Sequence, residues 1–211
     1  MSVQKIKICG ISNLLILEEL IALEVNYVGF IFFAKSPRNV SMDLLESLKK
    51  IDFKSTRPVC VFVNPEEEEV YKISSYLTDP ILQFHGDESE EFCESFGLDY
   101  WKAIRVKNKK DLGLIDLFPS ASAILLENHV PGTYGGTGES FDWDILENAD
   151  ELTNNIVLSG GINSENVHNA ITTNSWCIDL NSGVESEKGV KDIKLINNIL
   201  NIIKNYEIKQ I

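Results

Sequence analysis

Four short islands along this chain carry residues suited to chemistry: Lys7-Ile8-Cys9-Gly10, Ser36-Pro37-Arg38, Gln83-Phe84-His85-Gly86 and Ser159-Gly160-Gly161-Ile162. Each closes or directly follows a short apolar run. The thiol of Cys9 can act as a base or nucleophile once ionised. Lys7 lies two residues earlier on the same strand face, where its ammonium favours the thiolate. Arg38 offers a planar fork matched to a carboxylate or a phosphate. Glu127 follows Ile124-Leu125-Leu126, so a carboxyl group of the kind used in general acid catalysis closes an apolar run. Gln83 and His85 share one face, and Asp179 and Asn181 share another, where they can meet sugar hydroxyls. Arg105 is a weaker candidate, and His129 and His168 read as surface residues.

Two glycine-bearing segments point to a phosphate. Gly160-Gly161 opens the segment after one apolar run, and Ser182-Gly183 follows the next. Such turns let backbone N–H groups approach an anion closely. A third glycine-rich stretch, Gly135-Gly136-Thr137-Gly138, lies in the long loop from Asn128 to Ser140, and loops of that length are usually functional. Each candidate also has a plain structural reading. Cysteines are commonly buried hydrophobes, arginines are commonly solvated, a glutamate after a strand can be its first wet residue, and glycines make tight turns.

What must position these residues is an alternation of short apolar runs with segments of helical period. Strands are expected at Ile6–Cys9, Tyr27–Phe33, Pro58–Val63, Ile81–Phe84, Tyr100–Arg105, Ala123–Glu127, Ile156–Ser159 and Cys177–Asn181. Helices are expected at Asn13–Leu23, from Ser41 through Leu48, Glu66–Leu77, 88–96, 109–118, 142–150, Ser164–Thr172 and Val190–Lys204. Eight β-α units imply parallel strands joined by helical crossovers and favour closure into a (β/α)₈ TIM barrel, an α/β fold. In such barrels the active site gathers at the C-terminal ends of the strands, and the loops after strands seven and eight commonly bind phosphate. The chain reads as one barrel domain over residues 1–211.

Composition narrows the function. Apolar residues make up 44% and charged residues 24%, the profile of a soluble globular protein. The net charge of -13 gives no electrostatic footprint for nucleic acid or an anionic membrane, so an anionic ligand must be captured by a local cluster of donors. The four cysteines, Cys9, Cys60, Cys93 and Cys177, form no CxxC pair, which argues against a disulfide framework or a zinc site and for a reducing, cytoplasmic compartment. The first residues lack the apolar stretch of a signal peptide, and no apolar run approaches the roughly 20 residues that span a bilayer.

The ordered set Lys7-Ile8-Cys9-Gly10-Ile11-Ser12, Ser36-Pro37-Arg38, Val61-Phe62-Val63-Asn64, Gln83-Phe84-His85-Gly86, Gly135-Gly136-Thr137-Gly138 with Phe141-Asp142-Trp143, Leu158-Ser159-Gly160-Gly161-Ile162 and Asp179 with Ser182-Gly183-Val184-Glu185 resembles the phosphoribosylanthranilate isomerases of tryptophan biosynthesis. The resemblance runs from residue 6 to about residue 192. It implies an Amadori rearrangement of N-(5-phosphoribosyl)anthranilate to the 1-deoxyribulose 5-phosphate ketone by general acid–base catalysis. Cys9 falls on the family's general base and Arg38 on its carboxylate-binding arginine. Glu127 stands where the family has an aspartate as general acid, and Ser12 where it usually has threonine. Gln83, His85 and Asp179 are implied as substrate-binding residues, and Gly136, Gly138, Gly160, Gly161, Ser182 and Gly183 as phosphate-binding ones. No metal or cofactor is implied. The expected partner is the small phosphorylated substrate, with neither nucleic acid nor membrane, in a monomer or homodimer.

Two other readings compete. The related histidine-pathway sugar isomerase runs the same rearrangement on a two-phosphate substrate, but has an aspartate where Cys9 stands and a second phosphate loop where this chain has Ser36-Pro37-Arg38. A barrel that has lost its acid and only binds a phosphorylated metabolite is suggested by Glu127, yet a carboxyl group is retained there.

Overall fold

The computed structural model of the chain describes residues 4–128, 142–146 and 154–209. Eight strands close into an all-parallel barrel in chain order: β1 Lys5–Cys9, β2 Tyr27–Phe32, β3 Arg57–Phe62, β4 Ile81–Phe84, β5 Tyr100–Val106, β6 Ala123–Asn128, β7 Ile156–Leu158 and β8 Cys177–Leu180. Closure joins β1 to β8, with Lys7 opposite Asp179 and Ile8 opposite Leu180.

The pleat of the strands divides the core in two. Inside the barrel sit Cys9, Tyr27, Val59, Val61, Ile81, Trp101, Ala103, Ala123, Leu125, Val157 and Cys177. Their even-numbered neighbours, among them Ile8, Phe30, Phe62, Phe84, Leu126 and Ile178, face outward against the helices. The strand residues pointing inward therefore have odd numbers, and the polar residues Lys7, Gln83, Glu127, Ser159 and Asp179 belong to that inward set. Because both faces of each strand are covered, the strands read as continuous apolar runs and conceal this alternation. Below the polar layer the barrel is plugged by aromatics, with Trp101 packed edge-on against Tyr27 (ring centroids 4.9 Å apart) and Trp176 (5.9 Å).

The helices begin where side-chain caps are available. In α1 (Leu14–Ala22), the Asn13 side chain accepts from the N–H groups of Leu15 and Ile16, and Leu17, Leu20 and Ile21 form the buried face. In α2 (Met42–Leu48), Ser41 Oγ accepts from Leu44 N–H. Helix α3 (Glu67–Ser74) opens with three glutamates, the sign of charge that a helix N-terminus favours, and α4 spans Glu90–Glu94. Helices α5 (Val167–Thr172) and α6 (Ile193–Lys209) follow β7 and β10 (Val190–Lys191). Among the described residues no helix is long and apolar enough to cross a membrane.

Several elements differ from the sequence expectation. The segment expected as a helix over 109–118 is a 3-10 helix, Lys109–Leu117, started by a reciprocal Asn108–Asp111 capping box and carrying Gly113 in its middle. The helix expected over 142–150 is a 3-10 turn, Trp143–Leu146, within the described residues. The helix expected from Ser164 starts only at Val167, because Asn163 and Asn166 spend their side chains on local backbone groups: Asn166 Oδ1 accepts from Asn163 N–H and Asn166 Nδ2 donates to the Gly161 carbonyl. The last helix begins at Ile193 rather than Val190, since β10 (Val190–Lys191) pairs antiparallel with β9 (Glu185–Glu187) in a short hairpin after β8.

The aromatic plug gives a test of stability. Trp101 is 1% exposed. Trp101→Ala is expected to cost about 3–5 kcal/mol, the range for a buried aromatic truncated to a methyl group. Urea unfolding measures it. A loss below about 1 kcal/mol would show that the lower barrel repacks around the missing ring.

Candidate active site

A pocket at the C-terminal end of the barrel is lined by residues from almost every strand. Cys9 comes from β1; Ile31, Pro37 and Arg38 from β2 and its loop; Val61 and Val63 from β3 and just beyond. Gln83 and His85 come from β4, Glu127 from β6, Ser159, Gly160 and Gly161 from the end of β7, and Asp179, Asn181 and Ser182 from β8 and its loop. Of the candidates read from sequence, Cys9, Arg38, Gln83, His85, Glu127, Gly160, Gly161, Asp179 and Ser182 converge here. Gly136 and Gly138 lie outside the described residues. Arg105 does not join them: its guanidinium pairs with Asp87 at 2.6 Å beside a separate cleft on the β4–β5 side. His168 is exposed, its ring edge against Tyr206.

Cys9 is buried, and Lys7 below it has no exposed surface. Lys7 Nζ pairs with Asp179 Oδ1 at 3.0 Å, and Ser159 Oγ donates to Asp179 Oδ2 at 3.2 Å. Burial works against the Lys7 charge, but Asp179 and Cys9 outweigh it and hold its pKa above the ordinary lysine value. Lys7 was expected to favour the thiolate at Cys9. It does pull in that direction, yet desolvation of the thiol is the larger effect and Asp179 adds to it, so the Cys9 pKa is raised rather than lowered. Asp179 thus balances the Lys7 charge within the protein while also lining the pocket.

On the opposite wall, His85 bridges two other candidates. Gln83 Nε2 lies 3.0 Å from His85 Nδ1, and His85 Nε2 lies 2.8 Å from Glu127 Oε1. With the amide N–H donating to Nδ1, the ring proton sits on Nε2 and is donated to Glu127. Glu127 is 5% exposed, so it is not a wet residue following the strand. The carbonyl oxygen of Gln83 is buried and has no partner among the described residues.

The glycine loops after β7 and β8 line one side of the pocket. Gly160 and Gly161 have φ of 95° and 63°, and no bond of the Gly160, Gly161 or Ser182 N–H to another described residue is found. Gly183 lies just behind this pocket. A Cβ there would come within 1.9 Å of the Ile162 carbonyl oxygen, so glycine lets the β8 loop close against the β7 loop.

The hairpin brings two further charged residues, Glu185 and Lys191, to Arg38. Glu185, at its start, accepts from Arg38 Nε at 2.7 Å and Nη2 at 2.8 Å, from Gly189 N–H at 3.0 Å, and from Lys191 Nζ. Burial opposes the charge on Glu185, but the Arg38 and Lys191 hydrogen bonds prevail and hold its pKa at about 2. Burial pulls Lys191 below its ordinary value, with Glu185 opposing. Lys191 was concealed because Val190 reads as a helix start. Among the described residues no group of three or more His, Cys, Asp or Glu side chains is placed to hold a metal ion.

Residues 6–202 match the family model described as N-(5'-phosphoribosyl)anthranilate isomerase. The curated N-(5'-phosphoribosyl)anthranilate isomerase of Pseudomonas fluorescens is 38% identical over 208 residues, covering 97% of this chain and all of its own. The crystal structure of the phosphoribosyl anthranilate isomerase from Thermotoga maritima superposes with a TM-score of 0.84 at 32% identity, over 96% of this chain and 99% of that one. A phosphoribosylanthranilate isomerase solved in complex with reduced 1-(o-carboxyphenylamino)-1-deoxyribulose 5-phosphate aligns with a TM-score of 0.81 at 31% identity, over 96% and 99% of the two chains.

The Glu185 cluster predicts an acid-sensitive contribution to stability. A carboxyl held at about 2 against an ordinary 4.5 contributes fully above pH 4.5, and that contribution is lost as the pH falls towards 2. Melting temperatures measured from pH 6 to pH 2 should fall more steeply for the parent than for Glu185→Gln. Parallel curves would show that Glu185 carries no such linkage.

Proposed function

The chain belongs to the N-(5'-phosphoribosyl)anthranilate isomerase family, and from that premise we propose how its own residues divide the work. The reaction converts an aldose aminal into a ketose amine. It needs an acid at the ribose ring oxygen, a base at C2, an anion site for the phosphate and a cation for the benzoate carboxylate. The convergence of Glu127, Cys9, the Gly160-Gly161 and Ser182 N–H groups and Arg38 around one pocket carries this reading.

Glu127 donates a proton to the furanose oxygen as the C1–O bond breaks, and the anthranilate nitrogen lone pair forms the iminium. Its Oε1 is engaged by His85, which leaves Oε2 to carry the reacting proton. The Cys9 thiolate then removes the C2 proton, and the electron pair moves towards the iminium nitrogen to give the enolamine. Tautomerisation shifts the enol proton to C1 and yields the ketone. The enzyme is left with a Cys9 thiol and a Glu127 carboxylate, and moving one proton from the first to the second resets it. Lys7, whose charge Asp179 balances, stabilises the thiolate when it forms. Ile31, Val61 and Val63 offer an apolar wall to the aromatic ring, and Gln83 holds His85 in place against Glu127.

Substrate turnover extinguishes anthranilate-derivative fluorescence, which provides the assay and separates catalysis from mere binding. Glu127→Gln should lower kcat by roughly 10²–10⁴-fold, the usual range for an acid–base group, with binding largely kept. Cys9→Ala should abolish turnover while still retaining ligand, and a kcat within tenfold of the parent would place the base elsewhere. The parent needs its acid protonated as well as its base ionised, so its pH profile reports both groups. In Glu127→Gln the base alone is left to titrate, and the residual kcat should climb with pH into the alkaline range because the Cys9 pKa is raised. A residual rate already flat at neutral pH would contradict a thiol base. Arg38→Ala should act mainly on KM.

A further inference from the structure

The guanidinium of Arg38 does not face the pocket unattended. Glu185 grips it side-on, one carboxylate oxygen on Nε and the other on Nη2, and both side chains are at most 5% exposed. A guanidinium has two edges that can fork onto a carboxylate, the side edge of Nε with Nη2 and the end edge of Nη1 with Nη2. Here the side edge is taken. What remains is Nη1, without a partner among the described residues, and the second N–H of Nη2.

Glu185 is itself anchored. Gly189 N–H and Lys191 Nζ bond to its carboxylate, and Lys191 also donates to the Asn181 carbonyl at 3.1 Å and to Asn181 Oδ1 at 2.8 Å. The stem of Arg38 is pinned on its other flank, because a Cβ at Gly10 would come within 2.6 Å of Arg38 Cδ. Arg38 and Lys191 contribute two positive charges and Glu185 one negative, so the cluster presents a single excess positive charge to the pocket. That is the complement of one carboxylate.

We propose that Glu185 is a positioning residue for substrate recognition: it occupies the side edge of Arg38 so that only the end edge meets the benzoate carboxylate, and it thereby sets the preference for carboxylate-bearing substrates. The inference rests on the assignment of Arg38 to that carboxylate. A fixed fork recognises a planar anion at one angle, whereas a mobile one gains less per hydrogen bond because it must be ordered on binding.

The test compares kcat and KM for N-(5-phosphoribosyl)anthranilate with those for the aniline analogue lacking only the carboxylate. The proteins are the parent, Arg38→Ala, Glu185→Gln and Glu185→Asp, each checked by thermal unfolding. Arg38→Ala should reduce the parent's kcat/KM preference for the carboxylate substrate at least tenfold. Glu185→Gln should do the same through KM. Glu185→Asp keeps the charge that the two buried cations require but is one methylene too short to hold both nitrogens, and should lose at least threefold of the preference. If Glu185→Gln does not fold, the Asp variant decides alone. Should Arg38→Ala lose the preference while the folded Glu185 variants keep it, Glu185 is a structural strap and the inference fails, although the role of Arg38 stands. Glu185 variants that lower kcat equally for both substrates overturn it as well. If Arg38→Ala keeps the preference, the assignment of Arg38 is itself wrong.

Discussion

The ion pair between Lys7 and Asp179 sets the terms for the upper barrel. Lys7 has no exposed surface, and an ammonium taken out of water is tolerated only opposite a well-placed negative charge. The register of the β1–β8 seam supplies that charge directly across the ladder. A slip of one residue at this seam would turn Lys7 towards the helices and leave Asp179 unpaired inside, so the pair favours the register in which the barrel closes. Ser159 then completes the shell of Asp179, and Cys9 comes to lie above a positive charge it cannot lose.

The same balance of charge bears on the anion site proposed for so acidic a chain. With a net charge of -13, the field of the whole protein opposes an incoming phosphate or carboxylate. The pocket answers with local devices. The backbone N–H groups of Gly160, Gly161 and Ser182, for which no bond to another described residue is found, carry partial positive charge without any ion, and Arg38 and Lys191 share one glutamate between them. Both devices act at a few ångströms, where distant charges are screened by salt.

The fold was legible because eight apolar runs alternate with capped or amphipathic segments, and caps such as Asn13 and Ser41 lie in plain view. Most of the pocket's polar lining was legible because polar residues closing apolar runs mark the strand ends, although Arg105 closes one such run and pairs with Asp87 instead. Other features depended on contacts between distant segments. Neither Arg38 nor Glu185 has a neighbour in sequence that announces the fork between them, and the hairpin that presents Glu185 is too short to leave a strand signature. The effect of Lys7 on Cys9 was read in the right direction, but the larger opposing effect of desolvation was not visible, because depth of burial is a property of the closed barrel and not of strand spacing. Gly136 and Gly138 were placed by resemblance and lie outside the described residues.

The Lys7–Asp179 contact joins residues 172 positions apart. Chains made N-terminus first must therefore complete most of their length before β1 finds its final neighbour, and contacts of such separation are slow to form. Until then Lys7 and Cys9 remain in water, the lysine hydrated and the thiol not yet desolvated by the barrel. The polar layer around Cys9 is thus assembled only at the moment of closure, and a ribosome-bound chain lacking its eighth strand would hold every residue of the first half-barrel and still lack Asp179, the carboxylate that balances Lys7.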